Sequence, residues 1–98
     1  MTGTIEWQEG DSVKTAHITQ AFDRGDRIYA ECVWQLSQTY CINIAKNSQS
    51  ADWTEKNRSG KIESVKLTRT VKNIIVTGLW IEIGWESEMT MRLSYKNS

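Results

Sequence analysis

Three carboxylates, Glu82, Glu86 and Glu88, crowd the stretch TGLWIEIGWESEMTMRLSY at residues 77–95. Paired acids near a turn could divide acid and base work on a glycosidic bond. Glu31 or Glu82 is the side chain a small hydrolase or isomerase would use, yet no base, nucleophile and donor can be placed together around either. His17 is the sole histidine, and the carboxylate or thiolate spacing that would complete a metal site around it is missing. The chain has no phosphate loop, nucleophile elbow or HExxH motif. The expectation is a non-enzymatic protein with no catalytic residue, no metal and no cofactor.

The aromatic residues carry more information. Five Trp stand in 98 residues. Trp7, Trp34, Trp80, Trp85, Tyr29 and Tyr40 all fall on segments with strand periodicity. Aromatic faces on a sheet stack bases or sugar rings, or they fill the core of a small barrel or sandwich. Trp34, Tyr40 and Trp85 would line the interior of such a barrel and meet a small apolar or sugar-like ligand.

These side chains must be positioned by strands, because apolar residues recur with period 2 along nearly the whole chain. Seven segments qualify: about 3–8, 13–22, 27–36, 39–46, 61–70, 73–85 and 88–96. Ala16, Ile18 and Phe22 face inward on the second. On the third, Ile28, Ala30, Cys32, Trp34 and Leu36 alternate with Tyr29, Glu31, Val33 and Gln35. The chain has no Pro, so its turns are made with Gly, Asn, Asp and Ser, as at Glu9-Gly10-Asp11-Ser12 and Asp23-Arg24-Gly25-Asp26. The polar stretch KNSQSADWTEKNRSG is the one place for a helical turn, over 51–57, with Ser50 as its cap and Trp53 turned inward as a plug.

Length permits one domain, residues 1–98. Twelve basic and twelve acidic residues balance, against a nucleic-acid or anionic-membrane binder. No apolar run approaches a membrane span, and nothing near Met1 resembles a signal peptide, so a cytoplasmic protein is expected. The fold class is all-β: a small antiparallel meander barrel or strongly curved sheet of seven to eight strands. TGTIEW near the start echoes TGLWIEIGW near the end, compatible with first and last strands that are neighbours.

Matching apolar faces sets an expected register. Leu36 meets Tyr40, Trp34 meets Ile42 and Cys32 meets Ile44 across a loop around Ser37-Gln38-Thr39. Cys32 then faces the core and Cys41 the other side, with no disulfide. In the last hairpin, turning at Glu86-Ser87, Trp85 meets Met89, Ile83 meets Met91, Ile81 meets Leu93 and Leu79 meets Tyr95. Glu82 then pairs with Arg92, while Ile74, Val76 and Trp80 face outward beside the notch at Gly78. A strand apolar on both faces needs cover, from the 47–60 segment, a second subunit or a ligand. The leading expectation is therefore an interaction module, most simply a homodimer, whose interface contains Ile74, Val76, Trp80 and Arg92.

Gly78 and Trp80 in TGLWIEIGWESEMTMRLSY reproduce a Gly-x-Trp strand followed by an alternating strand. This stretch resembles the closing hairpin of calycin-type barrels, the lipocalin and avidin kind. In lipocalins the Gly-x-Trp belongs to the first strand, where this chain has Gly3 and Trp7. The resemblance implies a barrel with a pocket for a small apolar ligand and assigns no binding residue.

Overall fold

The computed structural model describes residues 1–35, 38–46 and 50–95. It has eight strands: β1 (Thr2–Glu9), β2 (Ser12–Asp23), β3 (Arg27–Trp34), β4 (Gln38–Ala45), β5 (Ser50–Glu55), β6 (Arg58–Arg69), β7 (Asn73–Glu82) and β8 (Trp85–Ser94). Each pairs antiparallel with the next, and β1 closes onto β8 from Thr2↔Ser94 to Trp7↔Met89, giving a closed meander barrel. First and last strands are thus neighbours. Among the described strands, closure leaves no open sheet edge. Among the described residues, no helix is long and apolar enough to cross a membrane.

The core is the barrel interior, reached by alternate residues of every strand. Ile28, Ile42, Ile62, Ile74, Val76, Met91 and Leu93 are fully enclosed there. On β4 the alternation reads directly: Tyr40, Ile42 and Ile44 are buried and the residues between them are not. The β3–β4 register differs from the expected one, with Cys32 opposite Tyr40 and Ile28 opposite Ile44. The slip is even-numbered, so every face is preserved: Cys32 is inside, Cys41 outside, and both are free thiols. Tyr40 therefore does not face Leu36, and Trp34 faces Gln38 in place of Ile42; Leu36 and Ser37 themselves lie outside the described residues.

The last hairpin departs in the other way. The chain turns at Ile83-Gly84, not Glu86-Ser87, and Gly84 supplies the left-handed backbone at φ +77° that tight hairpin loops demand. Leu79 consequently pairs with Glu88 instead of Tyr95. That displacement is odd, and an odd slip exchanges the two faces of a strand. Ile74, Val76 and Trp80 therefore point into the barrel, where they are 0%, 0% and 7% exposed. The outward stripe does not form. Arg92 is on the outer face, opposite Ile75, and pairs with Glu6 at 2.7 Å, not with Glu82. The outside of β7 instead carries Ile75, Leu79 and Ile81, half-buried beside Arg92, Glu63, Glu88 and Glu86 of the flanking strands. Long charged side chains cover such apolar ground with their aliphatic stems.

Residues 51–57 form no helical turn. Ser50–Glu55 is a strand, with Ala51, Trp53 and Glu55 buried and the residues between exposed. One turn of helix fixes several dihedrals for a single hydrogen bond and is unfavourable alone, whereas here both edges of the segment are paired, with β4 and β6. Trp53 does face inward. It stacks on Trp80 with ring centres 5.2 Å apart and planes 14° from parallel, so the apolar face of β7 is covered by the neighbouring wall. Asn47, Ser48 and Gln49 lie outside the described residues.

Two bulges bend the wall, between Ile18 and Gln20 on β2 and between Glu63 and Lys66 on β6. The first shifts the parity of β2. Ala21 takes the inward place, and Phe22, expected inside, is exposed, its ring lying over Tyr29.

Candidate functional site

The two ends of the barrel differ. The turns β2–β3, β4–β5 and β6–β7 share one end with the chain termini. There Ile28, Ile44, Ile74 and Leu93 are at most 1% exposed, so aliphatic side chains fill the lumen. Outside this end Asp23 accepts hydrogen bonds from Lys46 and Arg69. The Lys46 bond, foremost, holds its carboxyl below the usual range.

The turns β1–β2, β3–β4, β5–β6 and β7–β8 share the opposite end, and here the described residues leave the lumen open. A cavity of about 320 Å³ is bordered by Trp7, Trp34, Tyr40, Trp80 and Trp85. Its floor is Ile5, Cys32 and Met89, and its polar groups are Glu9, Gln38, Arg58 and Glu82. Ile83, fully exposed on the β7–β8 turn, adds an apolar lip.

Three hairpin tips converge on Arg58. Its Nε donates to Glu55 Oε1 at 3.0 Å, Nη1 to Glu82 Oε1 at 3.0 Å, and Nη2 to the Tyr40 hydroxyl at 2.8 Å. Its guanidinium lies over the rings of Tyr40 and Trp53, 5.9 and 5.6 Å from their centres. The bond to Glu55 chiefly raises the Arg58 pKa further, keeping the cation charged. Glu55 is an inward carboxylate only 6% exposed, and a buried charge is tolerated when paired in this way. Glu82 also accepts from Trp80 Nε1 at 2.9 Å. Trp53 Nε1 donates to the Ile81 carbonyl at 3.0 Å. Gly60 makes this possible, because a Cβ there would stand 2.5 Å from that indole nitrogen.

Burial, and then the negative charge of Glu82, raise the pKa of Tyr40 despite Arg58. Cys32 on the floor is pushed up to about 12, mainly by burial and next by Cys41, so it is an inert thiol at neutral pH. Trp7 and Trp34 meet edge-to-face, with centres 4.8 Å apart and planes at 83°. Trp7 Nε1 donates to Glu9 Oε2 at 3.3 Å.

Trp34, Tyr40 and Trp85, expected to share an interior, do share this cavity. Trp80 joins them, although the expected register had sent it outside. Ile74 and Val76 pack in the aliphatic end, and Arg92 lies on the outer wall. Glu31 is also outside, where the Tyr29 hydroxyl donates to its Oε2 at 2.7 Å and stands 3.2 Å from Cys41 Sγ. Contact with Cys41, then with Glu31, raises the pKa of Tyr29. Glu86, Glu88 and His17 are exposed on the outer surface. Trp7, Trp53, Glu9, Glu55 and Arg58 were not foreseen as site residues. A retrospective signal exists in Trp53-x-Glu55, which has the strand period and ends at a hairpin turn, as does the Trp7-x-Glu9 pair on β1. Searches of the chain against protein-family models, curated proteins and solved structures return no match.

Proposed function

We propose that this chain is a small-ligand-binding barrel, and that its ligand is a compact hydrophobic or sugar-like molecule seated among Trp34, Tyr40 and Trp85. The single observation behind this is the 320 Å³ cavity, which falls at the compact end of ligand-site volumes of roughly 300–1,000 Å³. A cavity of that size suits one ring with its substituents. Aromatic faces left against water favour any ligand that displaces it. Trp34 and Trp85 are half-buried, so their outer faces need not be unearthed for binding. The closed eight-strand meander is also the feature in favour of a calycin-type barrel.

A fluorescent apolar dye that brightens on leaving water provides the test. The parent should bind one equivalent, with a matching fall in Trp emission. Trp34→Ala and Trp85→Ala should each weaken binding about tenfold, while Val13→Ser on the exposed outer wall leaves it unchanged. Unaltered affinity in both pocket variants, or loss in Val13→Ser, would overturn the proposal.

A further inference from the structure

We propose that the ligand carries a positive charge, specifically a methylated ammonium group held by Trp7, Trp34 and Trp85 with Glu9 as counter-charge, an inference that rests on the mouth being a ligand site. The rings of Trp7 and Trp34 stand at 83° with centres 4.8 Å apart, so the edge of one indole rests on the face of the other, and the indole that presents its edge keeps both of its own faces clear of its partner. Trp85 lines the same cavity. Ring faces attract cations through their quadrupole, and cages of this kind hold quaternary ammonium groups. Arg58 already serves Tyr40 and Trp53 in that capacity. Among the described residues no side-chain cation lies over Trp7, Trp34 or Trp85.

The charges agree. Glu55 and Glu82 share the one guanidinium of Arg58, so two carboxylates face one cation beside the aromatic mouth. Glu9 adds another carboxylate at the rim, fastened to the Trp7 indole. An anion would face these carboxylates with Arg58 already bonded to Glu55, Glu82 and Tyr40. Lys14, the cross-strand partner of Trp7, is the nearest opposing charge by register, and it does not line the cavity. Burial is the main cause of the raised Tyr40 pKa, and the charges of Glu82 and, least, Glu55 add to it against Arg58.

Choline and its neutral carbon isostere, in which carbon replaces the ammonium nitrogen, differ in charge at constant shape. Titrated against Trp fluorescence, choline should bind about tenfold tighter than the isostere, with the advantage shrinking as salt is added. Glu9→Gln should weaken choline about threefold without moving the isostere. Equal affinities overturn the cation and leave the pocket standing. Silence toward choline in a protein that binds the apolar dye also overturns it. Silence toward all three probes removes the pocket reading as well.

Discussion

Replacing Trp53 with Ala will remove about 4 kcal/mol of stability and lower the Tm by roughly 15–30 °C. Small domains are stable by only ~5–15 kcal/mol, so this is a large share of the whole. Trp53 is the largest fully enclosed side chain, at 1% exposure. It ties β5 to the nearby strands β4 and β7 through the Trp80 stack, the tilted ring of Tyr40 with its centre 5.7 Å away and the bond to the Ile81 carbonyl. Its removal opens a void between flat rings that cannot collapse, strands the Ile81 carbonyl and strips Arg58 of one of its two ring partners. Trp53→Phe keeps much of the packing but not the hydrogen bond, so it should fall between parent and Ala variant. Urea denaturation of the three proteins measures the effect. A loss below about 1.5 kcal/mol for Trp53→Ala would mean that β5 is not a packed wall of the barrel.

Alkali should unfold the protein through Cys32. In the unfolded chain this thiol ionises near 9.0, and in the barrel burial moves it to about 12. Below pH 9 both states hold the proton and stability is unaffected. Between the two values the unfolded chain releases it and the folded chain does not. Stability therefore falls by about 1.4 kcal/mol per pH unit, about 4 kcal/mol in all. Tyr40 and Tyr29 are also raised above 10.0, so the decline steepens once the unfolded tyrosines begin to ionise. Cys32→Ala should flatten the curve between pH 9 and 10 and leave only the later, tyrosine-driven fall. A parent protein whose unfolding midpoint is constant up to pH 11 would contradict the enclosed position of Cys32.

Alternation was enough to read most of the barrel from the sequence, because period 2 survives wherever the ladder is regular. It assigned Ile28, Cys32, Tyr40, Ile42 and Ile44 to the lumen correctly even though the β3–β4 register was slipped, since an even slip preserves faces. It failed at irregular backbone. The bulge after Ile18 moves Phe22 outside and Ala21 in. The turn at Gly84 reverses β7, where both parities are apolar and the pattern alone cannot choose. Segment 51–57 carries an acidic first turn and a capping Ser that suit a helix, and pairing on both edges overrides that local preference. The aromatic half of the site was legible, since Trp34, Tyr40 and Trp85 sit on inward parities close to turns. The Glu55–Arg58–Glu82 cluster was not. It exists because the successive pairings of β4 with β5, β5 with β6 and β6 with β7 on a curved wall bring the β4, β5–β6 and β7 ends together, a relation between segments that no local pattern encodes.

The claim that one barrel end is a binding mouth and the other a filled core is tested most directly by the indole N–H signals of the five Trp residues. In a nitrogen-15-labelled sample titrated with the apolar dye, the signals of Trp7, Trp34 and Trp85 should move together and saturate at one equivalent. Backbone signals of Ile28, Ile74 and Leu93 at the aliphatic end should stay fixed. Saturable shifts centred on Val13, Phe22 and Val33 of the outer wall, or none among the three mouth indoles, would contradict the account.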